Sequence, residues 1–195
     1  LRNELNEAFS SIELIYPPLR GVLLPAVSGD IPDSLLLEYR DHLNDLDQNT
    51  ALFSSPESFA KAYDYWISQL ASMTVKRGVS YYTQRPLTRL LAGLVRPDET
   101  LSIYDPTAGT GGMLLACAEY IRQQDGIVDS TRFYGREKAP DIWAICKMNM
   151  ILHNVLDADI RLGDTIEDPQ HTEGGSLRKF DRIIANPPFS QNYSK

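Results

Sequence analysis

Apolar residues at Leu1, Leu5, Ala8, Ile12 and Ile15 alternate steps of four and three, which predicts an amphipathic helix ended by Pro17-Pro18. Residues 19–32 carry Gly21, Pro25, Gly29 and Pro32 and predict an irregular connection. A second helix is expected over 33–48, with Leu36, Tyr39, Leu43 and Leu46 on one face and an acidic, solvated opposite face. Ser54-Ser55-Pro56-Glu57 has the Ser-x-x-Glu form of a capping box, with proline where a helix start tolerates it. In the helix that follows, Phe59, Tyr63, Trp66, Leu70 and Met73 form a stripe expected to face a core. A helical domain over 1–75 is the resulting expectation.

After Lys76-Arg77-Gly78 the pattern changes. A helix through Leu87, Leu90, Leu91 and Leu94 ends before Arg96-Pro97, and from there short strands alternate with helices. Strands are predicted at 101–104, 132–135, 158–162 and 183–185, with helices at 113–123 and 140–155 between them. That alternation is the signature of an α/β fold with a mostly parallel sheet and crossover helices, placed over 76–195.

In such a sheet, ligands bind beyond the carboxyl ends of the strands, where successive loops converge. Asp105, Glu137, Asp164 and Asn186 stand at the four predicted strand ends. Singly each is more often a surface cap; four in register at one sheet edge predict a common site. Gly109-Thr110-Gly111-Gly112 lets a ligand approach the backbone closely. The loop lacks the Gly-Lys-Ser/Thr ending of a phosphate-binding loop and the full Gly-x-Gly-x-x-Gly of dinucleotide binders. Glu137, one strand–helix unit further on, can take both hydroxyls of a ribose.

The most informative stretch is Asn186-Pro187-Pro188-Phe189, which stops the last strand. The prolines fix their own φ, lack N–H groups and hold the residues before them extended, so the turn is stiff. The Asn186 amide oxygen and the Pro187 carbonyl then form an acceptor pair suited to a planar amino group, with Phe189 as a flat face for a ring. Asn-Pro alone is more often a simple strand-ending turn.

Composition narrows the rest. The chain has 195 residues, 43% of them hydrophobic, enough for a substantial core. No apolar run approaches a membrane span and no signal-peptide pattern opens the chain, so a cytoplasmic protein is expected. Cys117 and Cys146 sit in apolar helical patterns without metal-ligand spacing and are expected to be reduced core residues, with no metal site. A net charge of −7 argues against a chain that grips nucleic acid unaided. The chain starts without methionine and stops six residues after Phe189, so it is expected to be part of a longer protein.

Four motifs in order carry a resemblance: Tyr81-Tyr82-Thr83 ahead of a helix, Asp105-Pro106-x-Ala108-Gly109-Thr110-Gly111-Gly112, Tyr134-Gly135-x-Glu137 with the helix ending Met148-Asn149-Met150-Ile151-Leu152-His153, and Asn186-Pro187-Pro188-Phe189. Together, over roughly 78–189, the chain resembles the modification subunit of type I restriction–modification systems, DNA adenine-N6 methyltransferases dependent on S-adenosylmethionine. The resemblance implies a Rossmann-like fold of seven strands, four of them evident here, preceded by a helical domain. It places Tyr81, Tyr82, Thr83, Gln84 and Arg85 with Thr110, Gly111 and Gly112 around the methionine part of the cofactor, Asp105, Thr107 and Gly109 nearby, Glu137 at the ribose and Asp164 near the cofactor adenine. Asn186, Pro187, Pro188 and Phe189 would receive the target base. It also implies double-stranded DNA and the specificity and restriction subunits as partners, and no membrane. Gln84 stands where the family usually has proline, which predicts a more mobile loop and lower cofactor affinity.

Two other readings compete. A protein glutamine methyltransferase also needs an acceptor pair for a planar amino group, although the Tyr-Tyr-Thr segment and the Asp-Pro-Thr-Ala-Gly form of the glycine loop favour DNA. The other is an assembly module that keeps the pocket without the chemistry.

Overall fold

The computed structural model describes residues 1–23, 31–47, 55–75, 82–128, 132–156 and 158–188. Tyr81 and Phe189 lie outside the described residues, as does Ser54 of the predicted capping box.

Four strands form one parallel sheet: β1 (Ser102–Asp105), β2 (Arg132–Glu137), β3 (Asp159–Leu162) and β6 (Arg182–Ile183), in the order β3-β2-β1-β6. This is the predicted α/β arrangement. The chain winds outward from β1 to β3 and then returns to the other side of β1, so a topological switch point lies between β1 and β6. Helix α5 (Gly112–Gln123) joins β1 to β2, and α6 (Pro140–Leu152) joins β2 to β3. The last strand is shorter than predicted; beyond Ile183 only the Ile184 amide reaches back, donating to the Tyr104 carbonyl at 3.0 Å.

Alternation along the strands sends side chains to two different layers. Ile103 and Phe133 face the helices and are fully buried with Leu114, Cys117 and Ile121 of α5 and Cys146 and Met150 of α6. Burial in this apolar layer pushes both cysteine thiols well above their ordinary pKa, as inert core residues require. Gly135 belongs to the same layer, where a Cβ would stand 2.9 Å from Ile160 and 3.2 Å from Ala108. Tyr104 and Tyr134 face the other way. There Phe180 stacks on Tyr104 at 4.5 Å, His171 meets Tyr134 edge-on at 5.7 Å, and the Arg178 guanidinium lies 4.3 Å over the Tyr134 ring. The cover comes from a hairpin absent from the predicted elements, β4 (Thr172–Glu173) and β5 (Ser176–Leu177). Its turn, Gly174-Gly175, has φ of +59° and +80°, which two glycines adopt without strain.

The helices before the sheet form nearly where predicted: α1 (Arg2–Ile15), α2 (Asp33–Asp47), α3 (Pro56–Val75) and α4 (Arg85–Val95). Their buried faces differ. In α1, Ile12 and Ile15 are exposed and Glu13 is buried, accepting hydrogen bonds from the Gly21 and Leu23 amides at 2.8 and 2.7 Å. In α2, Leu36 is half-buried and Tyr39 exposed. In α3 the expected stripe is buried only in part: Tyr63 and Leu70 are half-buried and Phe59 and Trp66 exposed, whereas Ala60 and Ile67 are buried. Ala60 allows close approach, and Asp64 on the same side bonds His153 at 3.2 Å and Arg85 at 2.9 Å. The cap of α3 is also one residue on, with the Ser55 hydroxyl accepting from the Ser58 amide at 3.2 Å. In α4, Thr88 and Ala92 face inward and Leu87, Leu90 and Leu94 outward. Among the described residues, no helix is long and apolar enough to cross a membrane.

The two leucine environments are separable by mutation. Leu114 is 0% exposed and Leu90 59% exposed. Leu114→Ala is expected to cost about 2–5 kcal/mol in chemical denaturation, Leu90→Ala about 0.5 kcal/mol or less.

Candidate functional site at the carboxyl edge of the sheet

The loops after β1, β2, β3 and β6 enclose one cavity of about 810 Å³ at the switch point. Thr107, Gly109, Thr110 and Gly112 line it from the first loop, Glu137 from the second, Asp164 from the third, and Asn186, Pro187 and Pro188 from the fourth. Thr83, immediately before α4, completes that wall. Glu137 and Asn186, 49 positions apart in sequence by the numbering, thus share one rim.

Five expected residues stand off this cavity. Asp105 is fully buried beneath the first loop, its Oδ1 accepting from the Thr107 amide at 2.9 Å, so it shapes the turn rather than lining the space. Gly111, with φ +83°, turns toward α6, where a Cβ would stand 3.0 Å from the Cys146 sulfur. Tyr82 and Arg85 line a second cavity of about 850 Å³, between α3 and the helical layer, whose wall also includes Thr83, Thr110 and Gly112. Gln84 is the exposed N-cap of α4, lining neither cavity.

Glu137 ends β2 rather than following it, and both of its oxygens are engaged. Oε2 accepts from the Gly109 amide at 2.9 Å and Oε1 from the Ala139 amide at 2.8 Å. The Lys138 amide is a third backbone donor to it, so the carboxylate braces the glycine loop while lining the cavity. Burial raises its pKa, against the backbone donors that favour the charged form. From the opposite side, the buried Asn149 donates Nδ2 to the Thr110 carbonyl at 2.9 Å. The loop is therefore gripped at both Gly109 and Thr110.

The third loop is held by a residue sequence reasoning passed over. Arg136 is completely buried, and its guanidinium donates to the carbonyls of Leu162 and Asp168, each at 2.7 Å, and to that of Asp164 at 3.3 Å. Asp164 accepts from the Ile166 and Glu167 amides at 2.8 and 3.1 Å and pairs with Lys138 at 2.8 Å. The Lys138 ammonium and these amides hold its carboxyl well below the usual range. Thr165 ties this loop to the first by donating its hydroxyl to the Pro106 carbonyl. Ile166, 69% exposed, presents an apolar face at the cavity lip.

At the fourth loop, the Asn186 Nδ2 donates to the Thr83 hydroxyl oxygen at 3.1 Å, and both residues line the cavity. Pro187 and Pro188 add no N–H donors. This wall offers acceptors to a ligand's amino group.

Two substitutions test the geometry. Gly163 has φ +135°, and a Cβ there would lie 2.4 Å from the Arg136 Nη2. Gly163→Ala is therefore expected to lower stability by about 1–3 kcal/mol, read as a fall of several degrees in the thermal midpoint. Asp105 carries a pH signature: burial pushes its carboxyl up from 3.8 to about 7, against the opposing bonds from Thr107. Because the native carboxyl keeps its proton to a higher pH than the unfolded one, its contribution is fully present below pH 3.8 and lost as pH rises to about 7. Thermal midpoints measured across that window should decline with pH in the wild type and decline less in Asp105→Asn.

Comparison with known proteins places this geometry. The N-6 DNA methylase family profile matches residues 54–195. The chain is 27% identical over 194 residues to the type I restriction enzyme HindI methylase subunit of Haemophilus influenzae, covering 95% of this chain and 43% of that one. It is 29% identical over 157 residues to the EcoKI methylase subunit of Escherichia coli, covering 72% of this chain and 29% of that one. Among solved structures, the type I methyltransferase subunit from Streptococcus thermophilus superposes with a TM-score of 0.58 at 28% identity, over 70% of this chain and 29% of that one. A modification subunit of a putative type I restriction enzyme from Vibrio vulnificus gives 0.59 at 27% identity, over 70% of this chain and 30% of that one. The chain spans less than half the length of these relatives. The family profile extends from the start of α3 through the Asn186 turn, and the chain belongs to the N-6 DNA methylase family.

Proposed function

We propose that the protein transfers a methyl group from S-adenosylmethionine to the N6 amino group of adenine in DNA, as the modification subunit of a type I restriction–modification complex. The observation that carries this reading is convergence: Asn186, Pro187 and Pro188 line the same cavity as Glu137 and the glycine loop.

The cavity suits the donor. About 810 Å³ lies within the range of cofactor sites. Glu137 offers its carboxylate to ribose hydroxyls, Ile166 gives an apolar face to a flat ring, and the first loop brings backbone close to a ligand at Gly109 and Gly112. Glu137 and Asp164 add negative charge on the walls, which favours a sulfonium cation. S-adenosylmethionine supplies an electrophilic methyl carbon bonded to positively charged sulfur.

Adenine's exocyclic nitrogen is a weak nucleophile because its lone pair is delocalised into the ring. Inside a duplex it is also out of reach, so the base must be flipped outward, with Phe189 as its stacking partner. The Asn186 Oδ1 and the Pro187 carbonyl accept its two N–H groups, favour a pyramidal nitrogen, and stabilise the positive charge that grows on it. The N–C bond forms as the C–S bond breaks and sulfur keeps the electron pair; the alkylated nitrogen then releases a proton to solvent. No dedicated base is needed before attack, and what remains is alignment.

The family match and the type I names of its relatives support DNA over a protein glutamine as acceptor, and methyl transfer over bare assembly. With a net charge of −7, the chain relies on other surfaces for much of the grip on phosphate, which fits a subunit working beside a specificity subunit and a restriction subunit. The tyrosines Tyr81 and Tyr82, with Thr83 and Arg85, are assigned to the methionine end of the donor, where the two cavities adjoin at Thr83, Thr110 and Gly112.

Asn186→Ala separates chemistry from binding. Labelled-methyl transfer to unmodified bacterial DNA is expected to fall by a factor of about 100 or more, with calorimetric affinity for S-adenosylmethionine kept within a few-fold. Equal loss of both would assign Asn186 to structure instead.

A further inference from the structure

We infer that Asp64 of α3 is a positioning residue for the donor site: one carboxylate ties the start of α4 and the end of α6 to α3, so that seating of α3 and binding of S-adenosylmethionine favour each other. The inference rests on the methyl-transfer reading and adds a coupling that the residues lining the donor cavity do not contain.

Ala60, Asp64 and Ile67 recur at steps of four and three and so share one side of α3. Ala60 and Ile67 are buried, which puts a carboxylate in the middle of the packed stripe. The second cavity, about 850 Å³, lies here between α3 on one side and α4, α5 and α6 on the other. Apolar contact is interrupted at this level, and polar bonds span the gap. Asp64 Oδ2 accepts from Arg85 Nη2 at 2.9 Å, and Oδ1 from His153 Nε2 at 3.2 Å. An ionised carboxylate only accepts, so both bonds run in a fixed direction.

Each partner leads to the donor cavity. Arg85 opens α4 two positions after Thr83, which lines that cavity beside Asn186. The Leu87 and Thr88 amides donate to the Gln84 carbonyl at 3.0 and 3.1 Å, so a shift of Arg85 carries the whole first turn with it. On the other side, His153 is the C-cap of α6, its amide donating to the Asn149 carbonyl at 3.1 Å. Asn149 in turn donates Nδ2 to the Thr110 carbonyl of the glycine loop at 2.9 Å. Thr83 and Thr110 both stand where the two cavities adjoin. Asp64 is absent from the donor cavity's wall and acts on it through Arg85 and His153.

A donor that fits only the wall held by this junction has an apparent dissociation constant that rises as the seated fraction of α3 falls. Linkage makes the effect mutual: the bound donor holds α3 in place by the same factor. The intact protein gives two readouts. In wild type, saturating S-adenosylmethionine is expected to slow amide hydrogen exchange across α3 (Pro56–Val75) several-fold, although α3 supplies no residue to the donor cavity. Asp64→Asn keeps the shape and removes the charge. It is expected to weaken calorimetric donor binding roughly five- to tenfold and to abolish the slowing in α3, with kcat on unmodified bacterial DNA at saturating donor within about twofold of wild type. Three results would overturn the proposal: α3 exchange unaffected by donor in wild type, an unchanged donor constant in Asp64→Asn, or a fall in kcat as large as the fall in affinity. Should the variant fail to fold, the wild-type exchange decides alone. Failure of the underlying reading looks different, as no heat of S-adenosylmethionine binding and no added protection anywhere in the wild type.

Discussion

A buried carboxylate at the end of the central strand governs the site. Glu137 joins the loop after β1 to the turn into α6 by accepting one backbone amide from each, Gly109 and Ala139. Burying a carboxylate is costly unless its oxygens are satisfied, and here the compensation comes from amides that no strand ladder uses. The cost and the compensation fix each other: the glycine loop sits where Glu137 needs its N–H, and that N–H is one of the backbone donors that favour the charged carboxylate against burial. The neighbouring residue does the complementary task on the opposite face of β2. Arg136 gathers carbonyls from the loop after β3. One carboxylate collects donors and one guanidinium collects acceptors, so two consecutive residues of β2 hold the loops on either side.

This arrangement explains which parts of the chain were legible. Short apolar runs between helical patterns made the strands visible, and the alternation of strands with helices made a parallel sheet visible. The convergence of Glu137, Asp164 and Asn186 followed from topology alone, because parallel strands end at one edge. Arg136 was not legible: an arginine in a strand reads as exposed until carbonyls from Leu162, Asp164 and Asp168, 26 to 32 positions on, are brought beside it. The α3 stripe was misjudged for a related reason. Large aromatics at Phe59 and Trp66 outweigh Ala60 in a periodicity argument, yet a small residue permits the close approach that buries Ile67. The Gly174-Gly175 hairpin did carry a turn signal, but its strands are only two residues each, too short to show alternation.

Charge organises the cavity in layers. Asp105 lies deepest, and without solvent it is easier to protonate than an ordinary carboxyl. Glu137 is next, its carboxyl pushed up by burial against its backbone amide donors, and Asp164 at the lip is held low by Lys138 and two amides. Negative charge thus lies within reach of a ligand only where hydrogen bonds sustain it. A cationic ligand end meets these walls favourably, whereas a phosphodiester would be repelled.

The selectivity of the fourth wall follows from subtraction. Two prolines remove the backbone donors that a turn of other residues would present, leaving carbonyl oxygens and one amide side chain. A ligand group that itself only accepts, such as a ring carbonyl, finds no donor there unless Asn186 rotates; a ligand amino group finds acceptors at once. That rotation would exchange the Nδ2–Thr83 bond for one in which the Thr83 hydroxyl donates to Oδ1. A motif read along the chain supplies the acceptors, and a contact across 103 positions holds its asparagine beside the segment that opens α4.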